Sequence, residues 1–208
     1  MKITLFTSNQ PRHISLINNL SKVCDELYVI QECQTVNTGL TLGQYKKSDI
    51  IHKYFQKVSI SQNKFFRNFY IDFNNKNIFL YPIKFNDLNK LNLKKIKIFL
   101  ESDLYIVYGS SFIKGELIEF LQSKRAINIH MGISPYYKGT DCNFWAIYDQ
   151  NINYVGATIH LLSKNLDSGD ILYHAISKYD EDVFDYSMST VYSAFQSLEE
   201  KIKTKEIF

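Results

Sequence analysis

Asn128 and His130 stand two residues apart in the run "AINIHMGISPYYKGTDCNFW" (residues 126–145), with Ile129 between them. On a strand, side chains two positions apart share a face, so an amide and an imidazole would project together from the end of a short apolar segment. Asp167 in "NLDSGD" is a carboxylate able to join them, because Ser168 and Gly169 permit a tight turn between two apolar runs. An amide donor for a developing oxyanion, an imidazole that moves a proton and a carboxylate base are the parts of carbonyl chemistry. No serine or cysteine stands in a nucleophile elbow, which favours direct acyl transfer over a covalent intermediate. Taken singly, each residue has an ordinary role as a strand-end amide, a capping or core histidine, or a turn former, and Asp141 and Asp170 are rival carboxylates.

Such residues meet when strands end side by side, as they do at the carboxyl edge of an open α/β sheet. Ile3 to Phe6 read as a strand, followed by a turn whose Pro11 suits the first position of a helix, with Ile14, Ile17, Leu20 and Val23 at helical spacing. "LYVI" from Leu27 completes a strand, helix, strand unit. Gln31 to Asp49 is polar and reads as a loop. From Ile51 to Tyr70, with Tyr54, Phe55, Val58, Phe65, Phe66 and Phe69 recurring at three and four, one or two helices are expected. "IFLYPI" from Ile78 is a strand, Leu88 to Leu100 is helical, and Leu104 to Val107 is a buried parallel strand broken by Gly109. "IKGELIEFLQ" forms an amphipathic helix and "AINI" the next strand, with a helix at Asn143 to Tyr148. "VGATIHLL" and "DILYHAI" end the sheet, and a last helix at about 184–203 docks on it through Phe184, Met188, Val191, Phe195, Leu198 and Ile202. The expected class is α/β: a Rossmann-like, mostly parallel twisted sheet with helices on both faces, as one domain over residues 1–208.

The composition narrows the function. A formal net charge of +3, with lysines scattered among acidic residues, argues against a nucleic-acid partner. Three cysteines without CxxC spacing indicate neither a disulfide framework nor a metal site, and a reducing cytoplasm is the expected location. No apolar run reaches the length of a membrane span. The apolar helical surfaces leave room for a homodimer.

The order "NIH", a loop with P-x-Y-x-G, "FWAI", then "VGATIHLL" and "LDSGDIL" resembles the folate-dependent formyltransferase family, most closely between Ala126 and Ala175. The resemblance implies the formyltransferase fold, 10-formyltetrahydrofolate as formyl donor and an amine as acceptor, without a metal. It assigns Asn128, His130 and Asp167 to the active site and prefers Asp167 over its rivals. Asn128 and His130 would stabilise the oxygen of a tetrahedral intermediate, and Asp167 would accept the amine proton and orient His130. The donor's pterin would lie against the turn of Tyr108, Gly109, Ser110 and Phe112 and against Leu166 and Ser168. Among the family's branches, which include methionyl-tRNA and glycinamide ribonucleotide formyltransferases, the chain is most similar to the catalytic domain of sugar N-formyltransferases. It lacks the long C-terminal extension of the first and the glycine-rich phosphate loop of the second. A nucleotide-linked amino sugar is then the expected acceptor, met by Asn9, Arg12, His13 and Tyr136, with Tyr137 and Trp145 as further rings and Trp145 assigned to the core. Hydrolysis of the donor by the same three residues, and a binding module without turnover, are the alternatives.

Overall fold

The computed structural model describes residues 1–34, 49–67 and 70–207. Seven strands form one sheet: β1 (Lys2–Ser8), β2 (Glu26–Cys33), β3 (Ile78–Lys84), β4 (Leu104–Val107), β5 (Ile127–His130), β6 (Ala157–Leu161) and β7 (Ile171–Ala175). Their spatial order is β3-β2-β1-β4-β5-β6-β7; the first five are parallel, while β6 runs antiparallel to β5 and β7 antiparallel to β6. The strand order reverses at β1, which has β2 on one side and β4 on the other, and a crevice opens at the strand ends there.

The alternation of side chains along the central strands explains the layers. Ile3 and Leu5 of β1 and Leu104 and Ile106 of β4 pack with Leu16, Ile17 and Leu20 of α1 (Pro11–Leu20) and with Phe195 and Leu198 of α5 (Val183–Lys203). Phe6, Tyr105 and Val107 turn to the other face, against Leu117 and Leu121 of α3 (Gly115–Ser123). Both faces are covered, so these strands read as continuous apolar runs. α2 (Asp49–Phe65) and α4 (Cys142–Tyr148) complete the five α-helices among the described residues. Two helix starts follow their local chemistry: Pro11 opens α1, and the Asp182 carboxylate caps α5 by accepting from the N–H groups of Phe184 and Asp185 at 2.9 and 3.0 Å.

Three expectations change. The segment Leu88–Leu100 is not one helix but two short 3₁₀ turns, Leu88–Lys90 and Lys97–Leu100. Its asparagines bond the backbone locally and across to the next loop: Asn92 Oδ1 accepts from Lys94 N, and the Asn89 side chain bonds Phe112 and Lys114. Such bonds compete with a helix. β2 extends through Gln31, Glu32 and Cys33, which pair with β3, so the loop expected from Gln31 begins later; residues 35–48 of that loop, and Phe69, lie outside the described residues. Trp145 is 50% exposed, set edge-on against Phe144 and Tyr148 at the surface, rather than in the core. No helix among the described residues is long and apolar enough to cross a membrane.

Candidate active site

The carboxyl end of β5 delivers Asn128 and His130 to one face, and the turn after β6 brings Asp167 back over it. Asp167 Oδ2 lies 3.1 Å from His130 Nδ1, and Asp167 Oδ1 accepts from Asn128 Nδ2 at 3.2 Å. The Gly139 N–H donates to Oδ2 at 2.9 Å, tying the loop after β5 to the same carboxylate. Of the rival acids, Asp141 lies in the cavity wall without joining the cluster, and the carbonyl of Asp170 accepts from Leu161 N.

Backbone geometry makes the approach possible. Asp167 sits at φ 42°, in the left-handed region that Asp tolerates better than most residues. Two positions on, a Cβ at Gly169 would stand 1.7 Å from the Leu161 carbonyl oxygen, so only glycine lets the turn fold back this tightly.

A fourth side chain, absent from the sequence reading, completes the cluster. The antiparallel register of β5 and β6 places His160 directly opposite Asn128, and cross-strand neighbours on one face touch. His160 Nδ1 lies 2.8 Å from the Leu161 carbonyl, and its Nε2 stands 3.0 Å from Asn128 Nδ2 and 3.7 Å from Asp167 Oδ1, between the amide and the carboxylate. The signal was a single histidine inside the apolar run "VGATIHLL", legible only once its strand is known to return beside β5.

His130 is bounded by oxygen on both sides: Asp167 Oδ2 at Nδ1 and the Tyr137 carbonyl, 2.8 Å away, at Nε2. Burial pulls its pKa below the ordinary 6.5, against the opposing pull of Asp167 and of the Tyr137 carbonyl. For Asp167, burial alone would raise the pKa, but His160, His130 and the Gly139 N–H outweigh it and hold the carboxyl below 3.8. Cys142 also reaches the cavity, yet burial, then Asp167 and Asp141, push its thiol up to about 11, where it is no nucleophile.

The cluster forms part of the wall of a cavity of about 1320 Å³. On one side runs the turn after β4. Gly109 adopts φ +61°, and the His13 ring occupies the place of its missing side chain; Ser110, Ser111 and a half-exposed Phe112 follow, facing a half-exposed Leu166. The Tyr108 ring is buried against Phe195 and its carbonyl accepts from Thr7 Oγ1, so this residue serves the core as well as the wall. On the other side stand the start of α1, with Arg12 and His13, and rings of Tyr54, Phe144, Tyr148 and Phe184. Arg12 donates to Gln62 Oε1 at 2.7 Å, and buried His13, its Nδ1 without a hydrogen-bond partner, is held well below its ordinary pKa by burial and by Arg12.

The remaining sequence candidates stand elsewhere. Asn9 is spent on Gln34, donating to its carbonyl and accepting from its N–H. Ser168 braces its own loop through Ser163 and the Asn165 carbonyl. Tyr136, 65% exposed, packs at a tilt against Tyr154 outside the cavity wall. Among the described residues no group of three or more His, Cys, Asp or Glu side chains is arranged to hold a metal ion.

A family model described as Formyl transferase matches residues 86–207, more than half of the chain and all of the segment that carries the cluster. The chain belongs to the formyl transferase family. It is an enzyme that transfers formyl groups. Solved structures with similar folds include glycinamide ribonucleotide transformylase 1 from Symbiobacterium toebii, at 12% identity and TM-score 0.63 over 98% of this chain and 86% of that one. Phosphoribosylglycinamide formyltransferase from Anaplasma phagocytophilum matches at 16% and 0.61, over 98% and 85%. A sugar N-formyltransferase from a Shewanella species matches at 18% and 0.57, over 98% and 69%. At these identities the likeness is one of fold, and it leaves the formyltransferase's acceptor to be argued from its own cavity.

Proposed function

We propose that the protein transfers the formyl group of 10-formyltetrahydrofolate to a primary amine of a nucleotide-linked amino sugar. The observation that carries this reading is the meeting of Asn128, His130 and Asp167 in the wall of a cavity that has a strand-to-helix turn on one side and a helix start on the other. With the Tyr108 side chain committed to the core, the pterin is met by the backbone of Gly109 to Phe112 and by the apolar side chains of Phe112 and Leu166.

The donor supplies an electrophilic formyl carbon. The amine attacks with a lone pair, giving a tetrahedral intermediate with negative charge on the formyl oxygen; collapse of that intermediate breaks the bond between the formyl carbon and N10 of the folate, and the proton that the amine loses ends on N10 of the departing tetrahydrofolate. With one hydrogen, His130 matches only one of its two oxygen neighbours, whereas a second hydrogen matches both; Asp167 and the Tyr137 carbonyl thus offset part of the burial that disfavours the charged ring, so that His130 relays the amine proton while Asp167 keeps it aligned. The resting donors are not free, as the sequence alone suggests: the Asn128 hydrogens lie toward Asp167 and His160. The developing oxyanion competes for one of them because bonds to a charged acceptor are about twice as strong as neutral ones.

The cavity's acceptor side supports a nucleotide. Among the described residues Arg12 is its one lysine or arginine, suited to a diphosphate, whereas neutral His13 contributes a buried ring packed against Gly109. The Tyr54 ring stands 5.8 Å from Phe144 and 5.6 Å from Phe184, an aromatic wall for a planar base.

The test is to incubate the protein with 10-formyltetrahydrofolate alone, with UDP- and dTDP-linked amino sugars, and with glycinamide ribonucleotide, following tetrahydrofolate and formate. Tetrahydrofolate release that depends on an amino sugar is expected. Release with glycinamide ribonucleotide only would reassign the acceptor, and formate without any amine would make the protein a hydrolase.

A further inference from the structure

Glu32 is the penultimate residue of β2, just past the buried run Leu27–Ile30, and it is itself 0% exposed. Its Oε1 accepts from the Asn86 N–H at 2.9 Å and the Ser111 hydroxyl at 2.8 Å, and its Oε2 accepts from the Ser111 N–H at 2.6 Å. Asn86 belongs to the turn leaving β3, at φ 69°, and Ser111 to the turn leaving β4. In the strand order β3-β2-β1-β4, one carboxylate on β2 therefore joins the exits of its neighbour and of a strand two places away, passing over the end of β1. An apolar residue here would bury two backbone N–H groups without an acceptor, and a neutral amide could satisfy one at most.

The same turn is tied from outside a second time. Asn89 Nδ2 donates to the Phe112 carbonyl at 2.8 Å, and Asn89 Oδ1 accepts from Lys114 N at 2.8 Å. Both ties engage the outer edge of the turn, while Ser110, Ser111 and Phe112 present its inner edge to the cavity. Glu32 does not reach the cavity itself.

We infer that Glu32 is a positioning residue for the donor: by holding Ser111 from behind, it fixes the inner edge of the Gly109–Phe112 turn in the shape that receives the pterin. The inference rests on the donor reading above. It gives Glu32 a selective effect, on affinity for the folate rather than on the acceptor or on the chemistry of Asn128, His130 and Asp167.

The experiment measures tetrahydrofolate binding by calorimetry, together with donor KM, acceptor KM, kcat and Tm, for the wild type, Glu32→Gln and Ser111→Ala. Glu32→Gln swaps an acceptor for a donor with little change in shape and is expected to weaken tetrahydrofolate binding about tenfold, the scale of one charge-assisted hydrogen bond, with acceptor KM within about twofold. Ser111→Ala removes the hydroxyl contact alone and should show the same selectivity at smaller amplitude; it also carries the test if Glu32→Gln does not fold. Unchanged tetrahydrofolate affinity in the variants overturns the inference, as does a parallel loss of both affinities and kcat that follows Tm. A wild-type protein that binds no tetrahydrofolate overturns the donor reading itself, and this inference with it.

Discussion

At the scale of single residues, the imidazole of His130 is pulled in opposite senses by its surroundings. Burial lowers the imidazole's pKa, and the carboxylate beside it raises it part of the way back. Removing the carboxylate charge without changing the shape should therefore move His130 further down. In a titration followed by NMR, His130 of the wild type is expected to titrate below pH 6.5, and that of Asp167→Asn lower still. The same variant should lose about 10²–10⁴ in kcat, the range assigned to positioned acid–base groups. An imidazole that titrates higher in Asp167→Asn would show that the carboxylate does not govern it. Asn128 and His130 were legible in the sequence because their spacing on a strand puts them on one face. Asp167 needed the resemblance to be chosen over Asp141 and Asp170. His160, the Tyr137 carbonyl and Glu32 were not legible, since each acts through a register or a loop closure that no local pattern encodes.

At the scale of elements, the strand, helix, strand rhythm was readable because both faces of the sheet are covered and the apolar runs are uninterrupted. The exception was Leu88–Leu100, where apolar residues at helical intervals outvoted asparagines that bond the backbone of neighbouring turns. The β6–β7 turn is the element on which the site most depends, because it alone carries Asp167 back to β5. Its fold relies on Gly169, where an added Cβ meets a main-chain oxygen that cannot rotate away. Gly169→Ala is expected to cost about 1–3 kcal/mol, as overpacking against fixed atoms does, and to lower Tm by several degrees. Because the displaced turn takes Asp167 with it, kcat should fall beyond what the loss of stability explains. A variant with wild-type Tm and kcat would mean that the Leu161 carbonyl yields without cost.

At the scale of the whole molecule, the fold buries imidazoles in the cavity wall, and two of them are shifted by it. His13 and His130 are 3% and 5% exposed, and burial holds both below the ordinary value, His13 well below it. Arg12 adds to the effect at His13, while Asp167 and the Tyr137 carbonyl oppose it at His130 and His160 and Lys138 reinforce it there. In the unfolded chain the same rings take up protons near pH 6.5. Below that pH the unfolded state binds more protons than the folded one, so stability must fall as pH falls. Asp167 acts in a lower window, since its folded pKa is depressed from 3.8 and its contribution is lost only on further acidification. Between pH 7 and 5.5 the histidines can thus be read separately. Urea unfolding over this interval should lose about 1 kcal/mol for each histidine that stays neutral in the folded state, up to about 2 kcal/mol in all. His13→Gln should remove roughly half of that dependence whatever its effect on stability at pH 7, because the pH slope counts protons rather than contacts. Equal stability at both pH values in the wild type would mean that the rings protonate in place, with burial no longer opposing their charge.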